Sequence, residues 1–310
     1  MRFADIAVSY NCNLRCIHCS TTKLKKDAGE LSVEEYKTLA QDLKKLRVVQ
    51  IDFTGGEPTI SPFLEKIIPL FNPSSNYISI STNGVGPLTE EQLLKYRVLG
   101  VDALMISVES INPKEHDDFR RKHGALSETL KTIALAKKTG FTVFACVVIH
   151  HKNLYTKGLE NLLRFTKQNG IVLHFALAVP AGDWSDFENF KKEFMLTKED
   201  KIHVRKIMQG NPHTRFDFSV NIKQWGCPAG AEKIYITPYG DVIPCPFIQI
   251  SFGNIRRESV IAIRKRMFDE NRISQYFNQC LAAEDQEFIS KYLTQTFAEK
   301  DLPIPHDRIF

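Results

Sequence analysis

The sequence predicts an α/β protein: a parallel sheet in an open, partial (β/α)6 barrel over residues 1–215, followed by a smaller C-terminal unit over 216–310. Three observations lead there. Short apolar or β-branched runs recur six times, segments of helical periodicity separate them, and the alternation stops where a new cysteine-bearing segment begins. Strand-then-helix repetition implies parallel pairing through crossovers, and six such units suit a partial barrel better than a flat doubly wound sheet. In either arrangement the reactive site lies at the carboxyl ends of the strands.

The runs fall at residues 3–8, 48–53, 77–81, 103–108, 142–149 and 171–178, each of strand length. Between the first two, Ser32 and Glu35 have the spacing of a capping box, and Leu39, Leu43 and Leu46 then share one helix face. Polar loops follow the strands: Cys12 to Cys19 after the first, Thr54-Gly55-Gly56-Glu57-Pro58 after the second, Ser81-Thr82-Asn83-Gly84 after the third, and Ser107-Val108-Glu109-Ser110 after the fourth. All would converge on one rim. The pattern breaks after Gly210-Asn211-Pro212, which puts the boundary near Phe216. No low-complexity linker separates the halves, so they are expected to pack tightly.

Composition narrows the function classes. A chain of 310 residues with 43% hydrophobic content can bury a substantial core. The net charge of +5 is spread among many lysines and glutamates, which argues against nucleic-acid and membrane partners. Lys23, Lys25 and Lys26 cluster, but short basic runs are ordinarily solvated loops. With no signal-peptide core and no apolar stretch of about 18 residues, the chain is expected in a reducing cytoplasm. There, seven cysteines point to metal or catalysis, not to disulfides.

Cys12, Cys16 and Cys19 form a C-x3-C-x2-C run just beyond the first strand. A four-iron, four-sulfur cluster normally takes four thiolates, so three closely spaced ones hold the cluster and leave one iron free to bind a reacting molecule. Zinc would need a second cysteine pair or histidines, and no such pair lies nearby, although His18 sits inside the run. A second set comprises Cys227, Cys245 and Cys280. Residues 234–237 and 242–243 flank Pro238-Tyr239-Gly240 and read as two strands and a turn, which would bring Cys227 and Cys245 together. Cys146 lies inside the fifth run. By default it is a small buried hydrophobe; facing the barrel, it would be a candidate hydrogen-atom donor or cluster ligand. Pro180 to Trp184 and the phenylalanines 187, 190 and 194 read equally as pocket wall or core.

The first cysteine run together with Gly55-Gly56-Glu57-Pro58 resembles the signature of the radical S-adenosylmethionine (SAM) superfamily. The resemblance implies a [4Fe-4S] cluster whose open iron chelates the amino and carboxylate groups of SAM. It also implies reductive cleavage to a 5′-deoxyadenosyl radical that abstracts hydrogen from an unactivated C–H bond. Gly55 and Gly56 would let the backbone approach the cofactor, and Glu57 would accept a hydrogen bond from its ammonium. His18 stands where the family usually carries an aromatic near the adenine, and Ser81 and Asn83 resemble the family's strand-three contacts. Residues 107–124, with Ser107, His116-Asp117, Phe119-Arg120 and Gly124, resemble the SPASM and twitch branch, with Glu109 replacing the usual aspartate. Arg120 would pair with the SAM carboxylate as a fork.

The spacing from Cys227 through Gly240 to Cys245 resembles the opening of a SPASM or twitch domain, but the later C-x2-C-x5-C run is missing. One auxiliary [4Fe-4S] cluster is therefore expected, with Cys227, Cys245 and Cys280 as ligands. Its fourth site is either open to substrate or filled by a residue such as Glu284 or Asp285. The resemblance implies an enzyme fed by a flavodoxin- or ferredoxin-like electron donor. Because the chain begins directly at the first strand, without the leader-binding domain often fused to peptide-modifying relatives, a small-molecule substrate is favoured over a peptide. The competing class is a noncatalytic iron–sulfur protein for electron transfer or sensing, against which Glu57 and the polar strand ends weigh.

Overall fold

A computed structural model of the chain describes residues 1–21, 23–86, 88–216, 226–297 and 299–310. All six expected strands form: β1 (Phe3–Ser9), β2 (Gln50–Gly55), β3 (Tyr77–Thr82), β4 (Ala103–Ser107), β5 (Thr142–Ile149) and β6 (Val172–Leu177). Three more join them, β7 (Thr214–Phe216), β8 (Lys233–Ile236) and β9 (Val242–Ile243), in one sheet of order β7-β6-β5-β4-β3-β2-β1-β8-β9. From β1 to β7 each crossover steps to the next neighbour in one direction, and all these pairs are parallel. Right-handed crossovers of constant direction place every helix on one face. The other face is left as a concave interior, which is a partial barrel and not a doubly wound sheet.

The crossover helices are α1 (Val33–Lys45), α2 (Leu64–Ile67), α3 (Glu90–Val98), α4 (Pro113–Arg120), α5 (Ala125–Lys138), α6 (Lys157–Gln168), α7 (Phe187–Glu193) and α8 (Lys198–Gly210). The capping box at the head of α1 forms as expected: Glu35 N–H donates to Ser32 Oγ at 3.2 Å and Ser32 N–H to Glu35 Oε2 at 2.7 Å. Strand alternation sends Ile6, Ile51, Phe53, Ile80, Ile106, Val147 and Phe175 outward into a solvent-excluded core with Leu39, Leu43, Leu93 and Leu162 of the helices. Each side chain buried in this way contributes about 1.5–3 kcal/mol. The alternate positions, among them Asp5, Asp52, Ser79, Ser81, Met105 and His174, line the barrel interior.

The expected hairpin is β8 and β9, antiparallel with Tyr235 opposite Ile243. Nothing in the sequence marks its attachment: β8 lies parallel beside β1, with Tyr235 opposite Asp5, so the C-terminal segment extends the barrel sheet. Helix α9 (Val260–Phe268) is tied to α1 where Val260 N–H donates to Asp42 Oδ2 at 3.1 Å. Strand β7 reaches Phe216, one residue past the expected end of the first unit, and the following residues 217–225 lie outside those described. Among the described residues no helix is long and apolar enough to cross a membrane.

Candidate active site

The cysteine loop after β1 is clamped by three neighbouring loops and the end of α4. From β2, Gly56 N–H donates to Ser9 O at 2.7 Å and Glu57 N–H to Asn11 O at 2.8 Å. From α4, Phe119 O accepts from Ile17 N–H at 3.2 Å, and after β6 Asp183 N–H donates to Ile17 O at 2.8 Å. From β3, Asn83 Nδ2 donates to Asn13 Oδ1 at 2.8 Å, and Asn13 Nδ2 in turn donates to Val85 O at 2.6 Å. The glycines make these approaches possible. A Cβ on Gly55, at φ +127°, would stand 2.3 Å from Ser9 O, and one on Gly56 would stand 2.2 Å from Asn11 O. Their first constraint is therefore the contact between the two loops.

Glu57 is fully buried, and its carboxylate is held by the protein. Oε1 accepts from Thr59 N–H at 3.2 Å, Thr59 Oγ1 at 2.6 Å and Thr82 Oγ1 at 2.7 Å, while Oε2 accepts from Asn83 N–H at 2.7 Å. Burial pushes its pKa up, and these hydrogen bonds oppose the rise. Glu57 thus ties the β2 loop to the end of β3. Ser81 points into the barrel and donates to Asp52 Oδ2 at 2.7 Å.

A cavity of about 300 Å³ opens at this rim, lined by Cys12, Cys16, Cys19, His18, Ser107, Glu109, Arg120 and Cys146 among others. Arg120 and Glu109 form a buried ion pair there. Arg120 also reaches Cys16 Sγ at 3.6 Å, and Glu109 Oε2 accepts from Val148 N–H at 3.0 Å. Burial raises the Glu109 pKa, with the guanidinium working against it. His18 packs against Phe119 at 4.8 Å between ring centroids, and burial, then the Arg120 charge, lowers its pKa to about 3. Trp184 lines the same cavity and stacks on Phe194 at 4.5 Å, whereas Phe190 is wholly core. Cys146 faces inward, opposite Ser107.

The second cysteine trio is buried: Cys227, Cys245 and Cys280 are 4%, 7% and 6% exposed. Burial raises the pKa of all three thiols, and those of Cys245 and Cys280 are pushed further by the neighbouring cysteines. Glu284 has partners of its own: Oε2 accepts from Cys280 N–H at 2.8 Å and Oε1 pairs with Lys201 at 2.7 Å. Asp285 Oδ1 caps the next helical turn, accepting from Phe288 N–H at 2.9 Å. Both acids therefore have structural roles beside the trio.

The radical SAM superfamily model matches residues 6–165, just over half of the chain. The chain belongs to that superfamily. An iron–sulfur cluster-binding domain model, SPASM, matches residues 227–283. The antilisterial bacteriocin subtilosin biosynthesis protein AlbA of Bacillus subtilis is 28% identical over 84% of this chain and 58% of its own length. An AdoMet-dependent heme synthase of Methanosarcina barkeri is 28% identical over 80% of the chain and 77% of its own length. The crystal structure of Streptococcus suis SuiB bound to its precursor peptide SuiA shares the fold with a TM-score of 0.69 at 15% identity, over 84% of this chain and 64% of that one. The chain thus spans well under two thirds of AlbA.

A radical SAM domain takes a [4Fe-4S] cluster and SAM, and a SPASM domain takes an auxiliary cluster. The residues present fit these groups. Three thiols line one cavity at the rim, and two buried nitrogens beside them, Arg120 Nε and His18 Nδ1, have no hydrogen-bond partner among the described residues. Cys12, Cys16 and Cys19 are the residues that would hold the first cluster; Cys227, Cys245 and Cys280 would hold the second. The matching model is that of a superfamily of enzymes, which weighs against the electron-carrier alternative.

Sequence reasoning missed the barrel floor. Asp5, Asp52 and Ser79 stand opposite one another on β1, β2 and β3, with Tyr235 completing the row from β8. Lys233 pairs with Asp5 at 2.7 Å, and Ser79 Oγ donates to Asp52 Oδ1 at 2.5 Å. Burial, then the neighbouring Asp5, pushes the Asp52 pKa up to about 7. The signal was a single acid breaking each of two apolar runs. Phe247, two residues beyond Cys245, was also missed; it lines both the rim cavity and the interior one.

His116, behind the rim, accepts from Glu109 N–H at 3.2 Å through Nδ1. Burial, then the Arg120 charge, lowers its pKa from 6.5 to about 4. Above pH 6.5 neither the folded nor the unfolded ring is protonated, and stability is full. As pH falls from 6.5 toward 4 the unfolded chain binds the proton first, so stability falls by up to about 1.4 kcal/mol per pH unit. His116→Asn keeps an acceptor near the amide and removes the titrating ring. Its melting temperature is expected to decline less steeply between pH 6.5 and 5 than the parent's; parallel declines would contradict this role.

Proposed function

We propose that this enzyme modifies a peptide. AlbA, a bacteriocin biosynthesis protein, is similar over 84% of the chain, and this similarity carries the reading. The fold shared with SuiB, solved together with a precursor peptide, is compatible with it. The small-molecule preference drawn from the start of the chain loses its weight, because the chain spans only part of such relatives. A small-molecule reading keeps one specific support, the similarity to heme synthase.

When bound, SAM and its cluster supply a radical able to abstract hydrogen from an unactivated C–H bond. The chain's own residues position and enclose. Three clamping loops and the end of α4 hold the Cys12–Cys19 segment in place, and Glu57 braces the β2 loop against β3. Arg120, neutralised on one edge by Glu109, offers Nε to an anionic group such as the SAM carboxylate. His18 and Trp184 line the cavity and Phe119 packs behind both, giving it one aromatic side. An external flavodoxin- or ferredoxin-like donor would supply the electron, and the buried second trio would hold an auxiliary cluster that passes or accepts one.

Reconstituted enzyme with SAM and reductant is incubated with defined short peptides and, separately, with their free amino acids. The reading expects peptides to raise the 5′-deoxyadenosine yield and to change in mass. Stimulation by free amino acids alone would overturn it.

A further inference from the structure

We propose that the barrel floor is a subsite for a cationic group of the substrate, an ammonium or a guanidinium at the end of a flexible stem, held by Asp52 with Asp5 and Lys233 setting the surrounding charge. This rests on the peptide-modifying reading and names the side-chain class it selects. The subsite is a cavity of about 480 Å³ inside the barrel, which shares Thr54, Ser81 and Phe247 with the rim cavity above. A single substrate can therefore occupy both levels.

The charge balance of the floor selects the ligand. Two carboxylates face each other across β1 and β2, an unfavourable arrangement by itself. Lys233 pairs with Asp5, while the hydrogen bonds that hold Asp52 come from the neutral hydroxyls of Ser79 and Ser81 at 2.5 and 2.7 Å. Beyond the nearby Lys233 charge, an incoming cation supplies Asp52 with a charged hydrogen-bond donor, and such a charge-assisted bond is stronger than the neutral hydroxyl bonds it has. The two cations that also line the cavity are each paired with an acid, Lys233 with Asp5 and Arg2 with Glu232, so an anion would meet two carboxylates and compete for cations already engaged. Burial first, and then the Asp5 charge, raise the Asp52 pKa, while the two hydroxyls and Lys233 oppose the rise.

The dimensions suit a lysine or arginine side chain. From Asp52 to Thr54 the strand rises roughly 6.6 Å, close to the reach of a four-carbon stem. Met105, level with Ser81, and Phe247, which lines both cavities, offer apolar surface along that path. With its head on Asp52, the side chain leaves its backbone end at the level of Ser81 and Met105, two residues below Ser107 and Cys146 on the strands that lead to the rim.

The test uses the reconstituted, SAM-loaded enzyme and four probes of matched stem: n-butylammonium, n-butylguanidinium, n-butanol and butyrate. Their binding is measured by ligand-observed NMR. The cations are expected to bind at least about tenfold more tightly than n-butanol, and butyrate more weakly than either. Asp52→Asn, with folding and iron content checked, is expected to reduce cation affinity to that of n-butanol while leaving n-butanol unchanged. A tighter ammonium assigns a lysine-type group and a tighter guanidinium an arginine-type group. Equal binding of cation and alcohol by the parent enzyme, which needs no variant, would overturn the subsite, as would a cation preference that survives Asp52→Asn. Absence of SAM cleavage by the parent enzyme, measured without probes, strikes the reading of the rim site, whereas cleavage without cation preference strikes only the floor.

Discussion

Replacing Cys12, Cys16 and Cys19 together by alanine is expected to abolish 5′-deoxyadenosine formation while leaving about half of the iron bound, one cluster of two. The two trios are held by different parts of the chain. The first sits in the loop after β1 and the second in the segment from Cys227 to Cys280, where Cys227 N–H is anchored on Phe277 O at 2.7 Å and Cys280 N–H on Glu284. Removing the first leaves the backbone of the second untouched. Iron analysis of the purified variant alongside product analysis checks both halves of the expectation. Complete loss of iron would contradict two independent sites, and residual product would contradict the assignment of the first.

Arg120→Ala is expected to destabilise the fold by about 3–5 kcal/mol, because it strands Glu109 as a buried, unpaired carboxylate. The pair is nearly solvent-excluded, with side-chain exposures of 7% and 5%. Glu109 is additionally bound to Val148 N–H, so it cannot swing out to water without breaking a second contact. Combining Arg120→Ala with Glu109→Gln removes the stranded charge and is expected to recover much of the loss, measured by denaturant unfolding of the single and double variants. A double variant no more stable than Arg120→Ala alone would show that the pair is not the source of the effect. The same contact explains how glutamate works at position 109. From there the side chain spans both the guanidinium on α4 and the Val148 amide near the end of β5.

The barrel was readable because its strands are apolar runs of the right length and the loops that follow carry polar residues at the same end. The short elements were not. β7 is three residues long and follows Pro212, and β8 reveals its partner only in space, since pairing beside β1 leaves no local pattern. Within the site, the cysteines and the Gly55-Gly56-Glu57 loop were legible as motifs, but what the loop does was not. The bonds of Glu57 run to Thr59, Thr82 and Asn83, and the glycines answer to Ser9 and Asn11, contacts that depend on how β1, β2 and β3 align. Asp5 and Asp52 escaped notice because each is one polar residue in an apolar run. Only the register shows that they face each other.

The most direct test of the account is anaerobic reconstitution of the full chain followed by incubation with SAM and reductant. With the clusters fully loaded, the account predicts 5′-deoxyadenosine as a product that disappears when Cys12, Cys16 and Cys19 are replaced. Fully loaded protein that binds SAM yet yields no 5′-deoxyadenosine under reducing conditions would contradict it.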